Sequence, residues 1–332
     1  MSRPVAVVTN RAFPETLALL SSRCEVRSND TEEPLSREEL LAITADANGI
    51  VAFMPDCIDE AFLARCPRLQ VVACALKGYD NFDIEACTRQ GVWVSIVPDL
   101  LTEPTAELAI GLAIGLGRHI GSSDRLVRAG RFAGWRPTFY GQSLDGSTVA
   151  IVGAGRVGRA IARKLSGFSC EVLLVDAWAQ DPAPANACFA DADEALSRAH
   201  LVILAVPLGP ATLHMVDDAW LSRLRPGALL VNPARGSVVS EAAIARALSR
   251  GHLAGYAADV YECEDWARTD RPVGIEPRLL ALPDRTLFTT HIGSAVREVR
   301  QAIERDAAEN LLEALAGGRP HGAINQPAPR RA

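Results

Sequence analysis

Three short motifs carry side chains able to hold an anion and move a proton: NPARGSVV with Arg235, DVYECEDW with Glu264, and TTHIGSA with His291. A guanidinium fork binds an oxyanion through two parallel hydrogen bonds. An imidazole exchanges a proton near neutral pH, and a carboxylate can orient that ring and stabilise its charged form. Each residue alone has a plainer explanation, as a surface turn, a solvated acid, or one structural histidine among six. Together they supply what hydride transfer between a small anion and a nicotinamide requires. Lys77, in CALKGYDNFD, adds a second candidate cation. Only Lys77 and Lys164 are lysine among 34 basic residues, so a compact ammonium stands out in a chain that otherwise uses arginine.

A nicotinamide needs a dinucleotide site, and residues 147–176 read as one. A β-branched apolar run at 149–152 leads into Gly153, Gly155 and Gly158. Val157, Ile161 and Leu165 follow at helical spacing, and a second strand at 172–175 stops at Asp176. Gly153 would permit the turn, Gly155 the approach of a pyrophosphate, and Gly158 the close packing of a helix whose N-terminus faces the phosphates. Asp176 would accept from the adenosine ribose hydroxyls and repel a 2'-phosphate, which favours NAD over NADP.

Around this unit strands and helices alternate, which implies parallel sheets with helices on both faces. Strands are expected at 5–9, 49–54, 69–76 and 92–97, with helices at 15–21, 37–45 and 59–66. This first part has no phosphate fingerprint. Its ligand-facing loops would be FMPD, with Met54, and LKGYDNFD, with Lys77 and Gly78, at the carboxyl ends of strands. A long apolar helix is predicted from Thr102, with Pro104 in its first turn. An aromatic arm follows, with Trp135 and Tyr140, which reads equally as a satellite core or as a subunit interface whose tip reaches the site. Further strands are expected at 201–206, 228–231, 256–260 and 286–290, helices at 241–249 and 297–316, and a polar loop at 261–285. Arg297 and Arg300 on the last helix are expected in solvent. The fold class is α/β, with two doubly wound Rossmann-like domains. Residues 1–99 and 291–332 would bind substrate, and 100–290, inserted between them, would bind NAD.

At 332 residues the chain is long enough for two cores. With 48% apolar residues, 22% charged residues and a net charge of -6, it lacks the basic footprint of a nucleic-acid binder. MSRPVAVVTN enters a strand pattern without a signal-peptide core, and the apolar run at 108–117 is too short to span a bilayer. A cytoplasmic protein with no membrane partner is expected. Eight cysteines without a CxxC pair are expected to be reduced and mostly buried, and no metal site is expected.

ARGSVV, DVYECE and THIGS, following GAGRVG, resemble the D-2-hydroxyacid dehydrogenase family over nearly the whole chain. The resemblance implies a catalytic set of Arg235, Glu264 and His291, and a homodimer. It also implies NAD contacts at Thr105, Gly153, Gly155, Arg156, Val157, Gly158, Asp176, Val206, Pro207, Ala234, Asp259 and His291. Within the family, FMPD, CALKGYDNFD, GWRPTFYG, ECEDWARTDRP and HIGSAVREVR are similar to its phosphite-oxidising (phosphonate dehydrogenase) branch. Members acting on 2-hydroxy acids usually carry a small residue where Lys77 stands, and a proline after the catalytic glutamate, where this chain has Asp265 and Trp266. The DAW that follows the second strand of the fingerprint departs from the phosphite branch.

Phosphite has no carbon skeleton to bury, so its binding must come from charge and hydrogen bonds, and a second cation beside Arg235 suits it. The substrate contacts implied are Lys77, Gly78, Met54, Arg235, Ser294, Trp135, Tyr140 and Trp266. The expected activity is NAD-dependent oxidation of phosphite to phosphate. One alternative is a dehydrogenase for a small 2-hydroxy acid. Another is a non-catalytic dinucleotide sensor, against which the intact Arg, Glu and His set weighs.

Overall fold

The computed structural model of the chain describes residues 3–178 and 182–327. Two compact units emerge: Met1–Leu101 with Trp266–Thr269 and Ala295–Ala332, and Thr102–Asp265 with Asp270–Ser294. The second boundary differs from the expected 290/291. Residues 291–294 stay with the second unit because the Asp259 carbonyl accepts from His291 N at 2.9 Å, and its carboxylate accepts from Ile292 N and Gly293 N, each at 2.8 Å. Residues 266–269 join the first unit, where Ala267 N donates to Asn81 Oδ1 at 3.3 Å.

The first unit is a five-stranded parallel sheet of β1 (Val5–Val8), β2 (Glu25–Ser28), β3 (Gly49–Ala52), β4 (Val71–Cys74) and β5 (Trp93–Ser95), in the order β2-β1-β3-β4-β5. β1, β3 and β4 are buried along their whole length, as continuous apolar strands covered on both faces must be. One face packs Val8, Val51 and Val71 against Leu20, Ile303 and Leu311. The other packs Ile50, Val72 and Val94 against Leu40, Phe62 and Ala86. β2 escaped the sequence reading because EVRS, at the sheet edge, has neither an apolar run nor a clean alternation. The helix Ile84–Arg89 escaped because it is only six residues long.

Seven parallel strands form the second unit: β6 (Thr148–Val152), β7 (Glu171–Val175), β8 (Ala187–Phe189), β9 (Leu201–Leu204), β10 (Ala228–Asn232), β11 (Leu253–Ala258) and β12 (Thr286–Phe288). Their order is β12-β11-β10-β9-β6-β7-β8, so the chain reverses direction across the sheet between β6 and β9. That switch point is where open α/β sheets leave a crevice at the carboxyl ends of their strands. The predicted apolar helix is present as Thr102–Gly117, packed on Val149, Ile151 and Val231. Short helices at Ile120–Arg128, Ala192–Arg198, Asp218–Ser222 and Pro277–Leu280 were missed, the last inside the stretch read as a loop. Among the described residues no helix is long and apolar enough to cross a membrane. Half of the cysteines are buried (Cys24, Cys66, Cys74 and Cys87), and Cys188 is exposed, so "mostly buried" overstates their burial.

After the helix Arg297–Leu315 the chain folds back onto β5 through Ile96 N to Gly322 O at 3.0 Å and Ile324 N to Val94 O at 2.9 Å. His321 clamps this return, with Nε2 2.6 Å from Asp306 Oδ1 and Nδ1 3.6 Å from Glu313 Oε2. Burial pulls the imidazole pKa down, but the two carboxylates outweigh it and the net shift is upward from 6.5. A raised folded pKa gives stability that is complete below about 6.5 and lost as pH rises through the folded value. His321→Ala should therefore lower Tm more at pH 5.5 than at pH 8.5, and equal losses at both would show that the clamp is uncharged.

Candidate active site

The glycine turn after β6 has the geometry that its sequence demands. Gly153 has φ of 104°, and a Cβ there would lie 2.4 Å from Ala205 O, beyond the end of β9, so the turn sits at the switch point. A Cβ on Gly158 would lie 1.9 Å from Gly153 O, which lets the helix Arg156–Lys164 start hard against the turn. Gly155 faces open space and is exposed along with Arg156. Helices beginning at Arg37, Glu60, Ile84, Asp218 and Glu241 are capped by a side-chain oxygen, whereas those beginning at Pro14, Ile120, Arg156 and Arg297 have no side-chain cap. The N-terminus of the Arg156 helix follows the glycine turn, the place where a helix start favours an anion. Open approach, uncapped amides and a terminal acid fit a dinucleotide, with Val157 half-buried in the first turn and Val206 and Pro207 following β9.

Asp176 caps this cradle at the end of β7. Its Oδ2 accepts from Ala154 N at 2.7 Å and its Oδ1 from Trp178 N at 2.8 Å, so the acid is fixed by backbone amides and keeps further lone pairs for ribose. Arg159 donates to Ala154 O at 2.7 Å, which places a cation on the same turn. Asp176→Ala should therefore raise the NADP-to-NAD ratio of kcat/KM by roughly 10- to 100-fold, because the repulsion of a 2'-phosphate goes and Arg159 stays. Losing the acceptor for Ala154 N weakens both cofactors, so the ratio is the diagnostic quantity. An unchanged ratio would remove Asp176 from the ribose site.

Arg235, Glu264 and His291 all belong to the second unit and sit on segments that interlock. Glu264 Oε2 accepts from His291 Nδ1 at 2.6 Å, and Oε1 accepts from Tyr261 N at 2.8 Å. A carboxylate only accepts, so Nδ1 carries the proton and the Nε2 lone pair is available as a base. His291 has φ of 55°, in the left-handed region that a non-glycine residue adopts only when held there. What holds it is Asp259, 1% exposed, whose carboxylate accepts from Thr289 Oγ1 at 2.6 Å as well as from the amides of Ile292 and Gly293. Asp259, expected among the cofactor contacts, builds with its carboxylate the turn that presents His291. Thr105 packs beside the same turn, its Oγ1 donating to Gly293 O at 3.4 Å, and Ser294 follows, half-buried.

The Arg235 loop is shaped by buried Asn232, which donates to Arg235 O at 2.9 Å and accepts from Ala234 N at 3.1 Å. Ser237 N donates to Asp265 Oδ2 at 2.7 Å, so the acid next to Glu264 ties the arginine loop to the glutamate turn. Two further buried acids join the same segments: Glu262 N donates to Glu241 Oε1 at 2.9 Å, and Glu241 N to Glu262 Oε1 at 2.8 Å. Burial pushes the Glu241 carboxyl up. His214 Nε2 lies 2.9 Å from Glu262 Oε2. The sequence reading missed Asn232, Glu241, Glu262 and His214. For Asp265 the departure from the family pattern was a visible signal without a role attached.

Met54, Lys77, Gly78 and Trp266 belong to the first unit. Met54 packs against the Ile50 and Phe62 cluster, and its carbonyl accepts from Asn81 Nδ2 at 2.9 Å. Asp56 lies buried under the same loop, accepting from the Thr9 hydroxyl and from Phe53 N, and burial pushes its carboxyl pKa up to about 6. Lys77 and Gly78 are half-buried in the loop after β4. Arg300 is not in solvent as expected: it donates to Ala75 O at 3.2 Å and lies over the Phe53 ring at 5.8 Å, and burial lowers its pKa. Arg297 covers the Phe13 ring at 6.0 Å. Trp135 and Tyr140, expected as pocket walls, are 83% and 79% exposed.

Residues 110–293 match the family described as D-isomer specific 2-hydroxyacid dehydrogenase, NAD binding domain. A glyoxylate reductase of Pyrococcus furiosus is 36% identical over 332 residues, covering 98% of this chain and 96% of the relative. One from Thermofilum pendens is 34% identical over 98% of this chain and 96% of its own length. Among solved structures, a Thermus thermophilus protein superposes with a TM-score of 0.86 at 32% identity, covering 97% of this chain and all of that one. The NADPH-dependent glyoxylate/hydroxypyruvate reductase of Sinorhizobium meliloti, solved with NADP and malonate, has a TM-score of 0.83 at 28% identity over both whole chains.

Proposed function

The chain belongs to the D-isomer specific 2-hydroxyacid dehydrogenase family of NAD(P)-dependent oxidoreductases, and we propose that its own substrate is phosphite, oxidised to phosphate with NAD. The observation that supports this choice is Lys77. The other lysine, Lys164, lies between Glu103 and Glu107 at 2.8 and 3.0 Å as a surface ion pair, whereas Lys77 follows the carboxyl end of β4, where ligands of such sheets bind. Bound NAD supplies the acceptor for the hydride of the P–H bond. In this proposal Arg235 binds the oxyanion, and Lys77 is the second cation that a dianion calls for. His291 Nε2 takes a proton from water as its oxygen bonds to phosphorus, and Glu264 stabilises the imidazolium that forms. Phosphite, NAD and water thus give phosphate, NADH and a proton.

A second reading, conversion between a small 2-hydroxy acid and its oxo acid, is favoured by the names of the two relatives described above, both glyoxylate reductases. The same residues would serve it, with Arg235 on the carboxylate and His291 on the hydroxyl. Absorbance at the NADH band decides: NAD with phosphite should give a higher kcat/KM than NAD with lactate, glycerate or glycolate, and NADH with glyoxylate should be slow. The reverse ranking would establish the second reading.

We also propose a homodimer. Ile120, Val127, Phe132, Trp135 and Tyr140 expose apolar surface along a single segment of chain, and a twofold contact with a second copy is the commonest way to cover such a surface. Sedimentation at micromolar concentration should show a dimer, and a monomer alone would refute it.

A further inference from the structure

Of the five tryptophans, Trp178 is the most exposed, with 89% of its surface in water. An indole left in solvent contributes nothing to the fold that carries it. Its backbone is nevertheless fixed. Trp178 N donates to Asp176 Oδ1 at 2.8 Å, while Asp176 Oδ2 accepts from Ala154 N at 2.7 Å. One carboxylate therefore ties the glycine turn, which receives the phosphates, to the turn that carries the indole. The neighbouring surface is already committed: Arg159 lies over the Phe189 ring at 5.9 Å and donates to Ala154 O and Pro182 O at 2.7 and 2.6 Å.

We propose that Trp178 is the stacking platform for the adenine ring of the dinucleotide. Asp176 takes the hydroxyls of the adenosine ribose, and the base leaves that same ribose, so the residue two positions further on is within reach of it. Adenine is flat, uncharged and polarisable, and an indole is the side chain that offers it the largest matching face. An exposed ring, carried on a backbone amide that the ribose-binding acid accepts from, gives affinity for the adenosine end without touching the reacting centre. This assignment rests on the cofactor site alone and is independent of which substrate the enzyme oxidises.

Calorimetry of the full chain with AMP, NAD and nicotinamide mononucleotide tests it. Trp178→Ala should weaken AMP and NAD by about 5- to 50-fold and leave nicotinamide mononucleotide unchanged. Trp178→Phe should keep most of the affinity while losing the quenching of indole emission that AMP causes in the wild type. With substrate present, Trp178→Ala should raise KM for NAD at constant kcat. An AMP affinity untouched by Trp178→Ala would overturn the assignment. So would equal losses for AMP and nicotinamide mononucleotide, which would mean that the indole supports the glycine turn and does not stack on the base.

Discussion

Lys77→Ala is expected to raise KM for phosphite by roughly tens to hundreds of fold while leaving NAD affinity unchanged. A small dianion without apolar surface is held almost wholly by charge and hydrogen bonds. If Lys77 is the second cation on that anion, truncating it leaves Arg235 to carry the charge and costs about 2–4 kcal/mol. Lys77→Arg should recover part of the loss, since the charge stays but a compact ammonium becomes a broad planar fork. Arg235→Lys should be the worse exchange, because the bidentate geometry is lost at the residue whose backbone Asn232 fixes. The same pair of variants separates the two substrate readings. For a 2-hydroxy acid, Arg235 alone satisfies the single carboxylate, and Lys77→Ala should then change KM only a few-fold. Phosphite kinetics untouched by Lys77→Ala would leave the family assignment standing and remove the phosphite one.

The residues that the sequence revealed most clearly were those whose chemistry is local. Gly153 and Gly158 sit between a β-branched strand and a helix, so their spacing states a turn and a close approach, and the structure shows both. Buried strands such as VAVV and LVIL were legible because complete burial writes itself as an apolar run. Edge strands β2 and β8 were not, since half of each faces water and their residues carry no periodic signal. The supporting acids were hidden for a different reason. Asp265, Glu241 and Glu262 look like ordinary solvated carboxylates, and only the long-range pairing of segments 20 to 35 residues apart turns them into acceptors for otherwise orphaned amides. A linear pattern cannot show that Ser237 will meet Asp265. Exposure is equally invisible in advance: Trp135 and Tyr140 read as candidate pocket walls, yet both are largely exposed.

His291→Asn is expected to lower kcat by roughly 100- to 10,000-fold with little change in NAD affinity, the range that loss of a positioned general base produces. Asparagine is the informative choice because His291 has φ of 55°, and Asn tolerates that left-handed backbone far better than most residues do. The Asp259 carboxylate can then keep the turn in place, so the loss reports the imidazole and not a collapsed loop. Glu264→Gln should lower kcat by a smaller factor, roughly 10- to 100-fold, because the imidazole survives while its orientation and its charge partner do not. The geometry explains why an isosteric change suffices. Glu264 accepts from two donors, Tyr261 N at 2.8 Å and His291 Nδ1 at 2.6 Å, whereas an amide offers one accepting oxygen and turns an NH2 toward the other donor. Either one of the two bonds breaks, or the amide NH2 donates to Nδ1 and the imidazole carries its proton on Nε2, where it can no longer act as the base. If Glu264 acts only through His291, the double variant should be no slower than His291→Asn alone, the non-additivity expected of residues that work as a unit. Strictly multiplicative losses would mean that the carboxylate serves the reaction independently of the imidazole, and a His291→Asn enzyme keeping more than about a tenth of wild-type kcat would mean that the base lies elsewhere.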